Sequence, residues 1–118
     1  MSKSFRTEKT RKAYKDFIDG GGNEEVCKIC EAKSLHEFNG WRVIANDFPY
    51  DKVAEKHSML VPKRHTKEVE LSEGEKKELF QLKSHDVIGE YNFIIESTKK
   101  TVSIPGHYHL HLLKTKDF

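Results

Sequence analysis

No apolar run in this 118-residue chain approaches the roughly 20 residues that cross a bilayer, and its beginning carries no signal-like apolar segment. The expected setting is therefore the cytoplasm, with no membrane partner. Excess charge is also lacking: 21 Lys and Arg face 19 Asp and Glu, a formal balance of +2. That balance argues against a dominant nucleic-acid surface. Neither of the common nucleotide loops, G-x-x-x-x-G-K-[ST] or G-x-G-x-x-G, occurs. Internal repeats, low-complexity tracts and sustained heptads are absent as well. Cysteine is limited to Cys27 and Cys30 in C-x-x-C. So close a pair is a poor staple for a fold but a good pair of metal ligands or a redox dithiol, and two free cysteines are a third option.

The length suits one domain with a single modest core, and 36% hydrophobic against 34% charged residues makes it a hydrophilic one. Ala13, Tyr14, Phe17 and Ile18 fall on one side of a helix within residues 4–18, stopped by Gly20-Gly21-Gly22-Asn23. This divides the chain into an accessory helix and glycine-rich linker, residues 1–23, and a main domain, residues 24–118. A short helical turn over Glu24 to Cys30 would carry the cysteines. Leu35 to Phe38 and Trp41 to Ala45 read as a hairpin around Asn39-Gly40, the dipeptide suited to a type I′ turn. His57 to Val61 is a third strand closed by Pro62. Ser72 and Glu75 form a capping box for one long helix, Glu75 to Ile88, ended by Gly89. Tyr91 to Ile95 and His107 to Leu113 complete the set. The expectation is an α+β fold: roughly five antiparallel strands, one long helix and an N-terminal accessory helix.

The densest chemistry lies in His107-Tyr108-His109-Leu110-His111. Strand side chains alternate faces, so the three histidines share one face while Tyr108, Leu110 and Leu112 point to the other. A histidine-rich polar surface, a metal site and a catalytic surface all fit that pattern. Pro105-Gly106 before it admits a close ligand. Backbone N–H groups of the preceding loop, with Lys99 and Ser103, are suited to phosphoryl oxygens. Trp41, Phe38 and Ile44 are candidates for a base pocket or for core.

His107-Tyr108-His109-Leu110-His111-Leu112-Leu113 resembles the defining motif of the histidine triad (HIT) superfamily, three histidines alternating with apolar residues. Asn46-Asp47-Phe48-Pro49-Tyr50 and His57-Ser58-Met59-Leu60-Val61-Pro62-Lys63-Arg64-His65 resemble its upstream segments. Ile104-Pro105-Gly106 is similar to the dinucleoside polyphosphate hydrolase and phosphorylase branch. The resemblance covers roughly residues 24 to 113. It implies a nucleotide hydrolase or transferase acting at the α-phosphorus through a nucleotidyl-histidine intermediate, with a nucleotide or nucleotide conjugate as substrate. Under it, His109 is the nucleophile, His111 contacts the phosphate and bridging atom, His57 is the supporting histidine and His107 the first of the triad. Asn46, Lys99 and Ser103 are the remaining candidates for substrate contact. It further implies structural zinc on Cys27, Cys30, His65 and His107, and pairing with a second copy of the chain. A nucleotide-binding domain that keeps the scaffold and zinc without turnover is the alternative.

Overall fold

The structure is a computed structural model that describes residues 5–21, 27–98 and 106–116. Helix α1 spans Glu8–Asp19. The Thr7 side chain caps it by accepting from the Thr10 N–H. Gly21, at φ 82°, then takes a left-handed conformation that few other residues tolerate. A second short helix, α2 at Lys28–Glu31, begins at Cys27, whose sulfur accepts from the Cys30 N–H.

Five strands form one antiparallel sheet: β1 Ser34–Glu37, β2 Trp41–Ala45, β3 Ala54–Pro62, β4 Phe93–Ile95 and β5 Leu110–Thr115. Their spatial order is β1-β2-β3-β5-β4, so the last strand enters the middle of the sheet beside β3. The α+β class with a five-stranded antiparallel sheet is thus as expected.

Alternation sorts the two sheet faces. Trp41, Val43, Leu60, Leu110 and Leu112 point to one face, where Leu71, Leu82 and Ile88 cover them. Ile44, Met59 and Val61 point to the other and meet Ile29 of α2. Full burial of each large side chain contributes roughly 1.5–3 kcal/mol.

Four expectations need correction. The helix after Ser72 is broken into α3, Glu73–Leu82, and α4, Asp86–Gly89, although the Ser72–Glu75 capping box is present. On one continuous helix Leu82 and Ile88 would lie about 120° apart around the axis. The break lets both reach the same core, and His85 caps the new start by accepting from the Val87 N–H. Phe80, which the sequence groups with Leu79, Leu82 and Val87 as the apolar side of this amphipathic segment, is 78% exposed, because Glu75, Glu78, Leu79 and Leu82 take the inward face.

The hairpin turn is not type I′, since Gly40 lacks the positive φ that this turn demands. Its geometry instead offers the Asn39 and Gly40 N–H groups to the Glu78 carboxylate at 3.0 and 2.8 Å. A Cβ at Gly40 would lie 3.0 Å from Glu78 Oε1, so closeness rather than φ explains the glycine.

Strand bounds shift too. β3 begins at Ala54, three residues before His57, and β4 at Phe93 rather than Tyr91. β5 begins only at Leu110, leaving His107 and His109 in the approach to the strand. Among the described residues no helix is long and apolar enough to cross a membrane.

Candidate functional site

β3 presents His57 and β5 presents His111 on the face of Met59 and Val61, and His109 sits just before β5 on the same side. All three are buried, as is His107, with exposures of 6% or less. Buried imidazoles require partners, and the partners decide where each proton resides.

The Tyr50 backbone N–H donates to His57 Nδ1 at 2.9 Å. Neutral His57 therefore carries its proton on Nε2, which donates to His111 Nδ1 at 2.9 Å. His111 in turn holds its proton on Nε2, 3.4 Å from the Tyr50 hydroxyl. One residue thus closes both ends of the imidazole pair. His109 Nδ1 lies 2.9 Å from the His107 carbonyl oxygen. A carbonyl only accepts, so His109 is protonated on Nδ1 and its basic nitrogen is Nε2. Its ring centroid is 5.2 Å from that of His111.

Burial pushes these groups toward the neutral form. His57 is lowered to about 3, first by desolvation and then by the His111 and Arg6 charges. His111 is lowered to about 4 by desolvation, with His109 and Arg6 adding to it. Desolvation also lowers His109, against the opposing pull of the His107 carbonyl and Glu96. At neutral pH the site therefore presents uncharged imidazoles with assigned tautomers.

A second cluster adjoins the first. Cys27, Cys30, His65 and His107 place one ligand atom each within 4.8 Å of one another. His107 Nδ1 lies 3.5 Å from Cys27 Sγ and 3.4 Å from Cys30 Sγ, and His65 Nδ1 lies 3.3 Å from Cys30 Sγ. Thiolate and imidazole ligands on one tetrahedral ion stand about 3.5 Å apart, given metal–ligand bonds near 2.3 and 2.0 Å. The donor set and its spacing therefore fit a metal ion. His107 Nε2 donates to the Pro62 carbonyl at 3.0 Å, which leaves Nδ1 as a lone pair aimed at the sulfurs. Arg42, reaching from β2, donates to the Ile29, Cys30 and Ala32 carbonyls and so anchors α2, which carries Cys30. His107 joins the clusters: its ring faces the sulfurs while its carbonyl holds His109.

Beside the histidines an apolar cleft runs between α1 and the sheet, walled by Tyr14, Phe17, Ile44, Phe48 and Met59, with Asn46 at its polar end. Tyr14 and Phe17 pack on Phe48 at ring separations of 5.3 and 5.1 Å. The Asp51 carboxylate accepts from the Thr7 N–H at 2.8 Å and from the Thr7 and Thr10 hydroxyls, docking the start of α1.

His57, His109 and His111 are brought together, and Cys27, Cys30, His65 and His107 form a cluster of their own. Asn46 borders the cleft, 3.4 Å from His57 Nε2, while its side-chain oxygen accepts from the Phe48 N–H. Lys99 and Ser103 lie outside the described residues. Of the three base-pocket candidates only Ile44 lines the cleft. Trp41 and Phe38 belong to the opposite face, and the Trp41 indole donates to the Glu75 carbonyl.

No site role followed from the sequence for Tyr50, Arg6, Pro62 or Arg42. Tyr50 ends the Asn46–Tyr50 segment, a usable signal, whereas a backbone carbonyl such as that of Pro62 and a remote arginine leave none. No protein-family model and no curated protein matches this chain.

Proposed function

We propose that this chain is a HIT-like nucleotidyl hydrolase or transferase whose nucleophile is His109 Nε2. The observation that carries the reading is the His109 tautomer: with Nδ1 held by the His107 carbonyl at 2.9 Å, the lone pair on Nε2 is the one available for attack. The paired His57 and His111 alongside support it.

In this reading Nε2 attacks the α-phosphorus, forming a P–N bond as the bond to the leaving group breaks, and that group departs with the electron pair. The Nδ1 proton stays on His109 and neutralises part of the charge on the intermediate. His111 Nε2–H donates a hydrogen bond to the bridging or phosphoryl oxygen without losing its proton. Water then attacks phosphorus, the P–N bond breaks back to His109, and the water's proton passes to solvent. A different acceptor in place of water makes the same step a transfer.

Zinc on Cys27, Cys30, His65 and His107 would supply a structural crosslink between α2 and the start of β5. A binding domain without turnover is the second reading, favoured by the 4% exposure of His109 and by the Tyr50 hydroxyl beside His111 Nε2.

The test is to incubate the protein with diadenosine tetraphosphate, or an adenosine phosphoramidate, labelled at the α-phosphorus. A protein-bound label stable to alkali and labile to acid is expected, and it should be absent from His109→Ala. Turnover that survives this substitution refutes the covalent route, and binding without turnover in the parent selects the second reading.

A further inference from the structure

The C-x-x-C pair has a second chemistry that a structural crosslink does not use. Cys27 caps α2 and its sulfur accepts from the Cys30 N–H at 3.5 Å, so both thiols leave one turn on the same side. Cα atoms three residues apart on a helical turn stand about 5 Å from one another, inside the span that a disulfide bridges. The two sulfurs, with the His65 and His107 nitrogens, all lie within 4.8 Å of one another. Cys30 is exposed and Cys27 half-buried, which admits a small solute to the first sulfur and keeps the second behind it. The turn itself is fixed: Ile29 packs on Ile44, Met59 and Val61, and Arg42 holds the Ile29, Cys30 and Ala32 carbonyls. Closing a bond between the sulfurs therefore needs side-chain rotation rather than unfolding of α2.

The pair also reaches the histidine site through one residue. The buried His107 ring points Nδ1 at Cys27 and Cys30 Sγ, at 3.5 and 3.4 Å, while its Nε2 donates to the Pro62 carbonyl. Its backbone carbonyl holds His109 Nδ1 at 2.9 Å. Thiols, or a metal ion on them, give His107 Nδ1 a partner. A disulfide gives none, because its sulfurs carry neither proton nor negative charge and are poor ligands. A ring only 1% exposed that loses its partner turns or shifts to find another. That motion passes to the carbonyl that fixes the His109 proton.

We propose that Cys27 and Cys30 are a peroxide-sensitive redox pair whose disulfide form releases the metal ion and loosens His109. The Cys30 thiolate attacks one peroxide oxygen, the O–O bond breaks, and hydroxide leaves with the electron pair and takes a proton from solvent. The Cys27 thiolate then attacks the sulfenic sulfur of Cys30. The S–S bond forms as the S–O bond breaks, and a second hydroxide leaves and is protonated. Two thiolates, one peroxide and two protons give one disulfide and two waters, so the sulfurs supply the two electrons that reduce the peroxide. A dithiol reductant reverses the disulfide by exchange. The consequence for catalysis at His109 rests on the nucleotidyl reading above, and the thiol chemistry stands apart from it.

Hydrogen peroxide added to the reduced, zinc-loaded full chain tests this. The intact mass should fall by two hydrogens, a chromogenic indicator should report free zinc in step with that loss, and dithiothreitol should restore both mass and zinc binding. In the imidazole nitrogen NMR spectrum the His109 signature, assigned by its loss in His109→Gln, should shift on oxidation and return on reduction. Cys27→Ser should stop at the Cys30 sulfenic acid, trapped as a dimedone adduct, with no loss of hydrogen. An unchanged parent mass, or a gain of oxygen in place of the hydrogen loss, would overturn the redox pair. A disulfide formed with zinc retained, or a parent that takes up no zinc, would overturn the release step. An unchanged His109 signature in the disulfide form would overturn the link between the clusters. Mass, zinc and NMR are all read on the parent without nucleotide, so they hold whether or not the variants fold. Failure of the α-phosphorus labelling above is thereby told apart from failure here.

Discussion

Acid should unfold this protein through its paired histidines before its carboxylates titrate. His57 falls from an ordinary 6.5 to about 3 in the folded chain, and His111 to about 4. Both folded values are depressed, so between these values and 6.5 the unfolded chain binds more protons. Stability is complete above pH 6.5 and declines as pH falls toward 4. At pH 5 each imidazole removes about 2 kcal/mol, and at pH 5.5 each adds a slope of about 1.2 kcal/mol per pH unit. The pair together accounts for about 4 kcal/mol at pH 5, where both folded imidazoles are still neutral. That is a large share of the roughly 5–15 kcal/mol that holds a typical domain folded. Urea titrations at pH 7, 6 and 5 would measure it, with fluorescence of the single tryptophan, fully buried Trp41, as the probe. Burial lowers His107 and His109 too, and a metal ion on Cys27, Cys30, His65 and His107 would add a further acid dependence. The decisive comparison is therefore with His57→Asn, whose side-chain oxygen can replace Nδ1 as acceptor for the Tyr50 N–H. The variant should lose about one proton's worth of slope near pH 5.5. Equal slopes in parent and variant would refute the tautomer chain as the cause.

Leu112→Ala, at a fully buried position between β3 and β4, should cost about 2–5 kcal/mol in the same titration at pH 7. Glu78→Ala removes the acceptor of both hairpin N–H groups and should cost about 1–2 kcal/mol, with faster amide exchange at Asn39 and Gly40. Metal chelation should lower the melting temperature and make Cys27 and Cys30 react with a thiol reagent. Cys27→Ser should remove most of the chelator's effect on melting.

The sheet was legible because alternation is a local property. Trp41 and Val43 against Ile44, or Leu60 against Met59 and Val61, assign their own faces once the backbone is extended. The Ser72–Glu75 box was equally plain, since both bonds span only three residues. The helix break was not: periodicity extends through Ser84, and only the need to bury Leu82 and Ile88 against one core interrupts it. Asn39-Gly40 misled for a similar reason, because its preferred turn ignored a carboxylate from 38 residues away.

The sequence by itself determined the residue types of the site, a histidine at every second position and two thiols three residues apart, because spacing along a chain is covalent. Only the tertiary structure decided their division of labour. Cys27 and His107 meet across 80 residues, His57 and His111 across 54, and Arg6 and Phe48 across 42. Such contacts depend on which strands pair and which helix covers them. The proton positions on the imidazoles depend in turn on carbonyl and amide groups that every sequence shares.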